Sequence, residues 1–440
     1  MLSEKGLINL IEKLKNKLNS SSIISNIIIL LKGNVLSSAI GLINTIILVK
    51  AIGLENNGVF FMAQSYAMLF NTLFNFQSYN AIIMFIPKVV NNKCYKIENY
   101  LKQGFYLDFI TAIIAIIIAF LMINPVSGFM KWDNNIRLYM YITCFIIIFR
   151  TTGTMLGILR VFNNFKYIAL TSIIESFFRL TFFFIGYFYS YGLLYFLIIE
   201  VISSAVSMLS YIIFTIIVLK KEKLCLKKVK TKWDKDFFKF NCYSNLESSL
   251  DLPIAQLTPF IINYLLGFSD IAIYKIVEKI GSIISKVTIP ISQAIVPDIS
   301  KLLASNDKDS AMNIHKNTKK IILILGIILI AFCIITSNLW IELFIPNTIY
   351  NKSVLVLYLI YLIYTNMNMA IHPVFTFMGY IKKNIPIICF SNFIYLILLI
   401  ILAFKIGVIG VILARLIQSI IVIKLKNFVL KKNNYQFVRI

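Results

Sequence analysis

Polar residues fall into short runs along this chain, and between them apolar stretches of about 20 residues recur, the length a helix needs to cross about 30 Å of hydrocarbon. The pattern predicts twelve such helices, over residues 24–50, 58–86, 104–123, 136–160, 168–189, 193–219, 241–267, 271–296, 320–337, 351–378, 385–404 and 408–425. The expected fold is an all-α polytopic membrane protein. Before the first crossing, residues 4–19 set Leu7, Ile8, Leu10, Ile11, Leu14 and Leu18 on one helical face with lysines opposite, and no signal-peptide cleavage site follows. That segment reads as an amphipathic helix on the cytoplasmic membrane surface.

The twelve helices divide into two similar sets of six. A repeat of about 210 to 216 residues aligns AIGLENNGVF with LLGFSDIAIY, pairing Gly53 with Gly267 and Phe60 with Tyr274. It also pairs Pro87 with Pro297 and Gly192 with Gly407. Each set has an even number of crossings, so the halves share one orientation and are related by an axis along the membrane normal. The expected organisation is an N-terminal surface helix (1–22), a first lobe (23–219), a basic cytoplasmic linker (220–240), a second lobe (241–425) and a cytoplasmic tail (426–440).

Composition removes the soluble alternatives. With 59% hydrophobic and 14% charged residues and a mean hydropathy of +0.83, the 440-residue chain is too apolar for a soluble fold. A formal charge of +24 would suit a nucleic-acid partner, but its placement argues against one. Lys88, Lys93, Lys96 and Lys102, the stretch from Lys220 to Lys239, the stretch from Lys301 to Lys320, and Lys431, Lys432 and Arg439 occupy alternate connections and the tail. That is the positive-inside bias, with both termini in the cytoplasm. Connections on the other side are short, too short to hold a catalytic domain. The six cysteines are scattered, with no CxxC and no Cys/His cluster, and read as small apolar residues.

Charges inside the apolar stretches point to a site. Residues 241–301 hold Glu247 and Asp251 four residues apart, then Lys275, Glu278, Lys279 and Lys286, with the three lysines on one helical face. A charge facing lipid near the bilayer centre costs about 3 kcal/mol or more, so these faces are expected to meet protein or water and to wall a polar passage. Arg150, Glu175, Arg179 and Arg415 also lie near mid-depth. Glu175 and Arg179, at i and i+4, are expected to form a structural ion pair. Lys275, Lys279, Lys286, Arg150 and Arg415 are the candidate cations for an anionic substrate, while Glu247, Asp251 and Glu278 are the candidates for ion coupling. Glu200 fits either role.

The second helix carries a stripe of Gln64, Asn71, Asn75 and Ser78, which suits sugar hydroxyls and helix packing equally. Asn34, Ser37, Ser38, Gly41 and Thr45 give the first helix a small-residue face suited to close packing. Pro253, Pro259 and Pro290 interrupt the seventh and eighth helices, where breaks supply hinges and free carbonyls. No GxxxxGK[ST], GxSxG or HExxH occurs, so the sequence points to a transporter without an ATP engine, a catalytic motif or a metal, and no cofactor is expected beyond a coupling ion. His315 falls in an expected cytoplasmic loop; His372, inside the tenth helix, suits an interhelical hydrogen bond.

Two similar six-helix halves, the turn G-L-E-N-N-G-V-F, its echo G-F-S-D-I-A-I-Y-K-I and the run SKVTIPISQAIVPDISKLL resemble the Wzx-type flippases of bacterial O-antigen and capsule synthesis. Those belong to the multidrug, oligosaccharidyl-lipid and polysaccharide (MOP) exporter superfamily. The resemblance covers nearly the whole chain, through glycines, prolines and aromatics at helix ends. It implies a V-shaped transporter of the bacterial cytoplasmic membrane whose first, second, seventh and eighth helices line a cavity between the lobes. The implied substrate is an undecaprenyl-diphosphate-linked oligosaccharide, turned to the outer face by alternating access and driven by H+, Na+ or substrate flux. Membrane lipid, a polysaccharide polymerase and chain-length proteins are the implied partners. On this reading Lys286→Ala lowers transport without blocking insertion. A drug/cation antiporter of the same superfamily, a lipid II flippase and a membrane polysaccharide polymerase are the alternatives; a cationic cavity disfavours the first, and short outer loops the last.

Overall fold

A computed structural model of the chain describes residues 22–87, 89, 94–222, 224, 232–304, 307–336 and 349–432. Residues 1–21 of the expected surface helix, residues 223 and 225–231 of the central linker and residues 433–440 lie outside that set. Regular structure among the described residues is helical throughout. Hydrocarbon offers no water to the backbone, so each N–H must find its carbonyl within its own segment.

The first lobe opens with α1 (Ser22–Phe74), which bends at Gly53 (φ 74, ψ 175) into two arms. Thr45 before the bend and Phe61 after it lie against the same Lys279 side chain, so the arms run back along each other. Glycine takes this left-handed φ without a Cβ penalty, and its repeat partner Gly267 has φ 111. The lobe continues through α2 (Ser78–Phe85), α3 (Cys94–Met130), α4 (Asn134–Cys144), α5 (Ile146–Phe149), α6 (Gly153–Val161), α7 (Phe165–Phe188) and α8 (Leu193–Lys221).

The second and fourth crossings, expected as single helices, are both broken. A buried carboxylate on α3 explains where. Asp108 accepts the Ser78 hydroxyl at 2.5 Å, at the first residue of α2, and the Thr154 N–H at 2.7 Å, near the start of α6. One acid therefore serves two helix N-termini, whose leading N–H groups lack intrahelical partners and favour negative charge.

The second lobe comprises α9 (Lys235–Ser249), a π-helical turn (Pro253–Leu257), α10 (Thr258–Leu265), α11 (Phe268–Ala304), α12 (Lys308–Ile335), α13 (Ile349–Met367), α14 (Ile371–Phe375) with a second π turn (Thr376–Tyr380), α15 (Ile381–Ile406) and α16 (Val408–Lys432). Much of the loop expected over 301–320 is helix. Asp307 caps α12 by accepting the Ser310 N–H at 3.0 Å, which places His315 inside that helix, buried, and not in a loop. Helix α16 likewise runs past residue 425, so Lys426, expected in the tail, is a helical residue.

Among the described residues eight stretches are long and apolar enough to cross a membrane. The first, Ile28–Phe85, contains the Gly53 bend and so supplies two of the expected crossings. The segments expected over 241–267, 271–296 and 320–337 fall outside these eight. The first is interrupted by a π turn, the second carries Lys275, Glu278, Lys279 and Lys286, and the third follows a lysine-rich start. Elsewhere large side chains such as Leu121 (70% exposed) and Phe404 (79%) face outward on these helices, a surface suited to lipid.

Three buried clusters set the shape. One is common to both lobes, joining Leu48, Phe60 and Tyr66 of α1 with Ile271, Tyr274 and Ile276 of α11. The others are private to the lysine-rich end: Ile82, Leu101, Leu159 and Val218 in the first lobe, Ile299, Val374, Phe375 and Leu430 in the second. A shared core at one end and separate cores at the other make a V that opens toward the lysine-rich end.

The seventh crossing divides its packing between the lobes. Phe237 of α9 belongs to the first lobe's cluster, and Asn245 donates to the carbonyls of Thr72, Leu73 and Asn75. Just before α9, Asn99 and Gln103 of α3 each donate to the Lys232 carbonyl at 2.8 Å. Beyond the π turn, Thr258 of α10 meets the Tyr395 hydroxyl of α15 at 2.5 Å. Second-lobe contacts begin ahead of Pro253, which has no N–H to give the helix, because the Leu250 carbonyl already accepts from Asn392 of α15. Helix α10 still touches the first lobe through Phe260 and Tyr66.

Candidate functional site between the lobes

The ionisable residues of the helices fall into three groups. The first is a closed cluster in the first lobe. Arg150 Nη2 lies 2.7 Å from Glu175 Oε1, Arg179 Nη2 lies 2.9 Å from the same oxygen, and Arg179 Nε lies 2.7 Å from Glu200 Oε2. Arg179 also donates to the Ser203 hydroxyl at 3.0 Å. Two cations and two carboxylates cancel here. The Glu175–Arg179 pair is present as the spacing suggests, but Arg150 is engaged by Glu175 and does not offer its charge to the cleft. Breaking such a buried set costs about 3–5 kcal/mol, because a partner is left uncompensated.

The second group faces a cavity of about 270 Å³ shared by both lobes. Phe61, Gln64 and Met68 of α1 form one wall; Lys275, Glu278 and Lys279 of α11 form the other. The offset that pairs Gly53 with Gly267 also pairs Gln64 with Glu278, so the repeat brings equivalent positions to opposite walls. Glu278 accepts Lys275 Nζ at 2.9 Å and Arg415 Nη1 at 2.9 Å. Arg415 is further held by the hydroxyls of Tyr274 at 2.6 Å and Tyr361 at 3.0 Å, with its guanidinium 5.0 Å from the Tyr361 ring centre.

Lys279 differs from its neighbours. It donates to Thr45 Oγ1 at 2.9 Å across the lobe boundary and lies 5.4 Å from the Phe61 ring centre. Among the described residues no carboxylate pairs with it. The cleft is therefore lined by two lysines and one carboxylate, which Arg415 also reaches from the neighbouring cavity, and it keeps a positive excess. In a site of reduced dielectric that excess attracts anions far more strongly than it does in water. The side chain of Lys286, the third lysine of the face, and that of Pro290 lie outside the described residues.

The third group lines a larger cavity, about 490 Å³, inside the second lobe. Glu247, Asp251, Asn368, His372, Asn384 and Lys426 are on its wall. Lys426, 4% exposed, brings Nζ to 2.6 Å from His372 Nδ1, so His372 does bond between helices. Arg415 lines this cavity while reaching Glu278, which makes it the partition between the two.

The polar stripe of the second crossing separates by role. Asn71, 7% exposed, donates to the Ile147 carbonyl at 3.3 Å, Asn75 Oδ1 accepts the Gln77 N–H at 3.1 Å, and Ser78 serves Asp108. These three hold the break in the helix; only Gln64 reaches the cleft. Asp108 and Lys426 were not among the residues singled out by sequence. Asp108 had a signal, a lone acid in an apolar stretch. Lys426 had none, because positive-inside counting treats every lysine after the last apolar run as solvated.

Two helical lobes in a V, with charge where they face each other, define an all-α polytopic membrane fold. The chain superposes on an inward-facing multidrug resistance MATE family transporter with a TM-score of 0.72 at 15% identity, covering 90% of this chain and 95% of that one. It superposes on the lipid II flippase MurJ in an inward closed conformation with a TM-score of 0.72 at 18% identity, covering 92% and 87%. For an outward-facing MATE family transporter the TM-score is 0.61 at 14% identity, covering 93% and 96%. No curated protein sequence matches the chain. At these identities the likeness establishes the fold. The chain belongs to the polysaccharide biosynthesis protein family, which it matches over residues 23–303.

Proposed function

We propose that this protein is a flippase that turns undecaprenyl-diphosphate-linked oligosaccharide from the cytoplasmic to the outer face of the membrane, supplying O-antigen, capsule or related polysaccharide synthesis. The observation that carries the reading is the positive excess in the cleft between the lobes, where among the described residues Lys275 and Lys279 face Glu278 alone. A diphosphate is the part of such a substrate that hydrocarbon rejects most strongly, and ammonium and guanidinium donors replace its water with charge-assisted hydrogen bonds. An organic cation would meet repulsion at the same place, which disfavours drug antiport.

Direction follows from shape and charge together. The V opens toward the end rich in lysine, the side that positive-inside counting assigns to the cytoplasm, where the lipid-linked oligosaccharide is assembled. The better superposition on an inward-facing than on an outward-facing relative supports the same state. The polyprenyl tail stays in the bilayer through the gap between lobes while the head group crosses, so no covalent bond changes. Glu247 and Asp251, without ion pairs among the described residues, are the carboxylates open to a coupling H+ or Na+, whereas Glu278 is held between two cations.

Depleting the protein from its host should trap lipid-linked oligosaccharide in the cytoplasmic leaflet, out of reach of periodate applied to intact spheroplasts. Equal oxidation in depleted and replete cells would overturn the reading.

A further inference from the structure

The second-lobe cavity is not explained by diphosphate binding. Its groups without ion partners among the described residues are two carboxylates, Glu247 and Asp251, against the one ammonium of Lys426, because Arg415 is committed to Glu278 and two tyrosine hydroxyls. An anion is therefore disfavoured there, the reverse of the neighbouring cleft.

What the cavity offers is hydrogen-bond acceptors. Asn384 is 5% exposed and lines the cavity, and its side-chain carbonyl has no partner among the described residues. An acceptor buried without a donor costs about 1–3 kcal/mol, a cost that a ligand hydroxyl would remove. Tyr361, Met369 and Ile388 add an apolar surface beside these acceptors, and the volume of about 490 Å³ falls within the usual range of sites for small polar molecules. Hydroxyl donors on a partly apolar ring are the chemistry of a neutral sugar.

We infer that this cavity is the subsite for the neutral sugars of the substrate, with the Asn384 side-chain carbonyl accepting from a sugar hydroxyl, while the adjoining cleft holds the diphosphate. The inference rests on the flippase reading of the cleft. Arg415, the wall between the compartments, then marks the junction of phosphate and glycan. Charge sorts the two ends of one ligand: the cationic compartment takes the diphosphate, and the acceptor-rich compartment takes the hydroxyls.

Two probes separate the parts. Farnesyl diphosphate carries the anion alone; farnesyl diphosphate bearing an N-acetylglucosamine disaccharide carries both. Full-length protein in nanodiscs should bind the second about tenfold more tightly, the worth of one or two net hydrogen bonds. In Asn384→Leu that gain should vanish while the affinity for farnesyl diphosphate stays unchanged, and Asn384→Asp, isosteric and still an acceptor, should retain it. Equal affinity of the natural protein for both probes, or an undiminished gain in a folded Asn384→Leu variant, would overturn the sugar subsite. Failure of the natural protein to bind farnesyl diphosphate would instead overturn the reading of the cleft.

Discussion

Replacing Gly58 by valine is expected to abolish transport while leaving the chain inserted in the membrane. Gly58 stands near the start of the second arm of α1, where that arm crosses the start of α11, and a Cβ there would fall 1.8 Å from the Phe268 carbonyl oxygen. The collision is with backbone, so no side-chain rotation relieves it, and overpacking of even a yielding site costs about 1–3 kcal/mol. This crossing belongs to the end at which the lobes are joined. Nearby, the Trp132 indole N–H donates to Asn263 at 2.7 Å, and Phe129 stacks on Tyr264 with ring centres 5.4 Å apart. A wedge at Gly58 is expected to hold that end apart, and the proposed alternating-access cycle would lose its closed state. Labelling of Asn263→Cys by an impermeant thiol reagent should rise when Gly58→Val is added. Undiminished transport by Gly58→Val would show that the joined end does not need this close approach.

The second large effect is expected at Lys279. Alanine there should lower affinity for a diphosphate head group by about 10- to 100-fold, as the loss of one charge-assisted interaction of about 1.5–3 kcal/mol dictates. Lys279→Arg should keep most of it, because the charge remains. Thr45→Val removes only the hydroxyl that holds the ammonium across the lobes and should stay within a few-fold of the natural protein. Lys275 and Arg415 share Glu278, so removing either one also releases a carboxylate into the cleft. Alanine at Lys279 has no such side effect, which makes it the cleaner test. Unchanged diphosphate binding by Lys279→Ala would move the anion site elsewhere.

The architecture was legible because membrane crossing imposes one length and one polarity on each helix. The duplication was legible for a related reason. Gly53 and Gly267 both take positive φ where corresponding crossings end, and the sequence around both turns is alike. Spacing also placed Lys275 and Lys279 on one face, and both reach the shared cavity. Partnership was harder to read. Nothing local says that Arg150 will meet Glu175, or that Arg415 will meet Glu278, since each pair joins different crossings, 25 and 137 residues apart. The broken second and fourth crossings were hidden for the same reason, because the acid that serves both breaks sits on α3. A composition-based reading sees a charge in an apolar stretch, but whether it faces a cleft or a counter-ion is decided by tertiary packing.

The account depends on a cleft whose positive excess selects a diphosphate. Its most direct test is transport by protein reconstituted into liposomes, comparing two fluorescent short-chain lipids with the same disaccharide, one linked through diphosphate and one through a neutral ether. The diphosphate lipid should reach the far leaflet much faster than the neutral lipid, with the difference collapsing in Lys279→Ala. Equal rates for the two lipids, unaffected by that substitution, would contradict it.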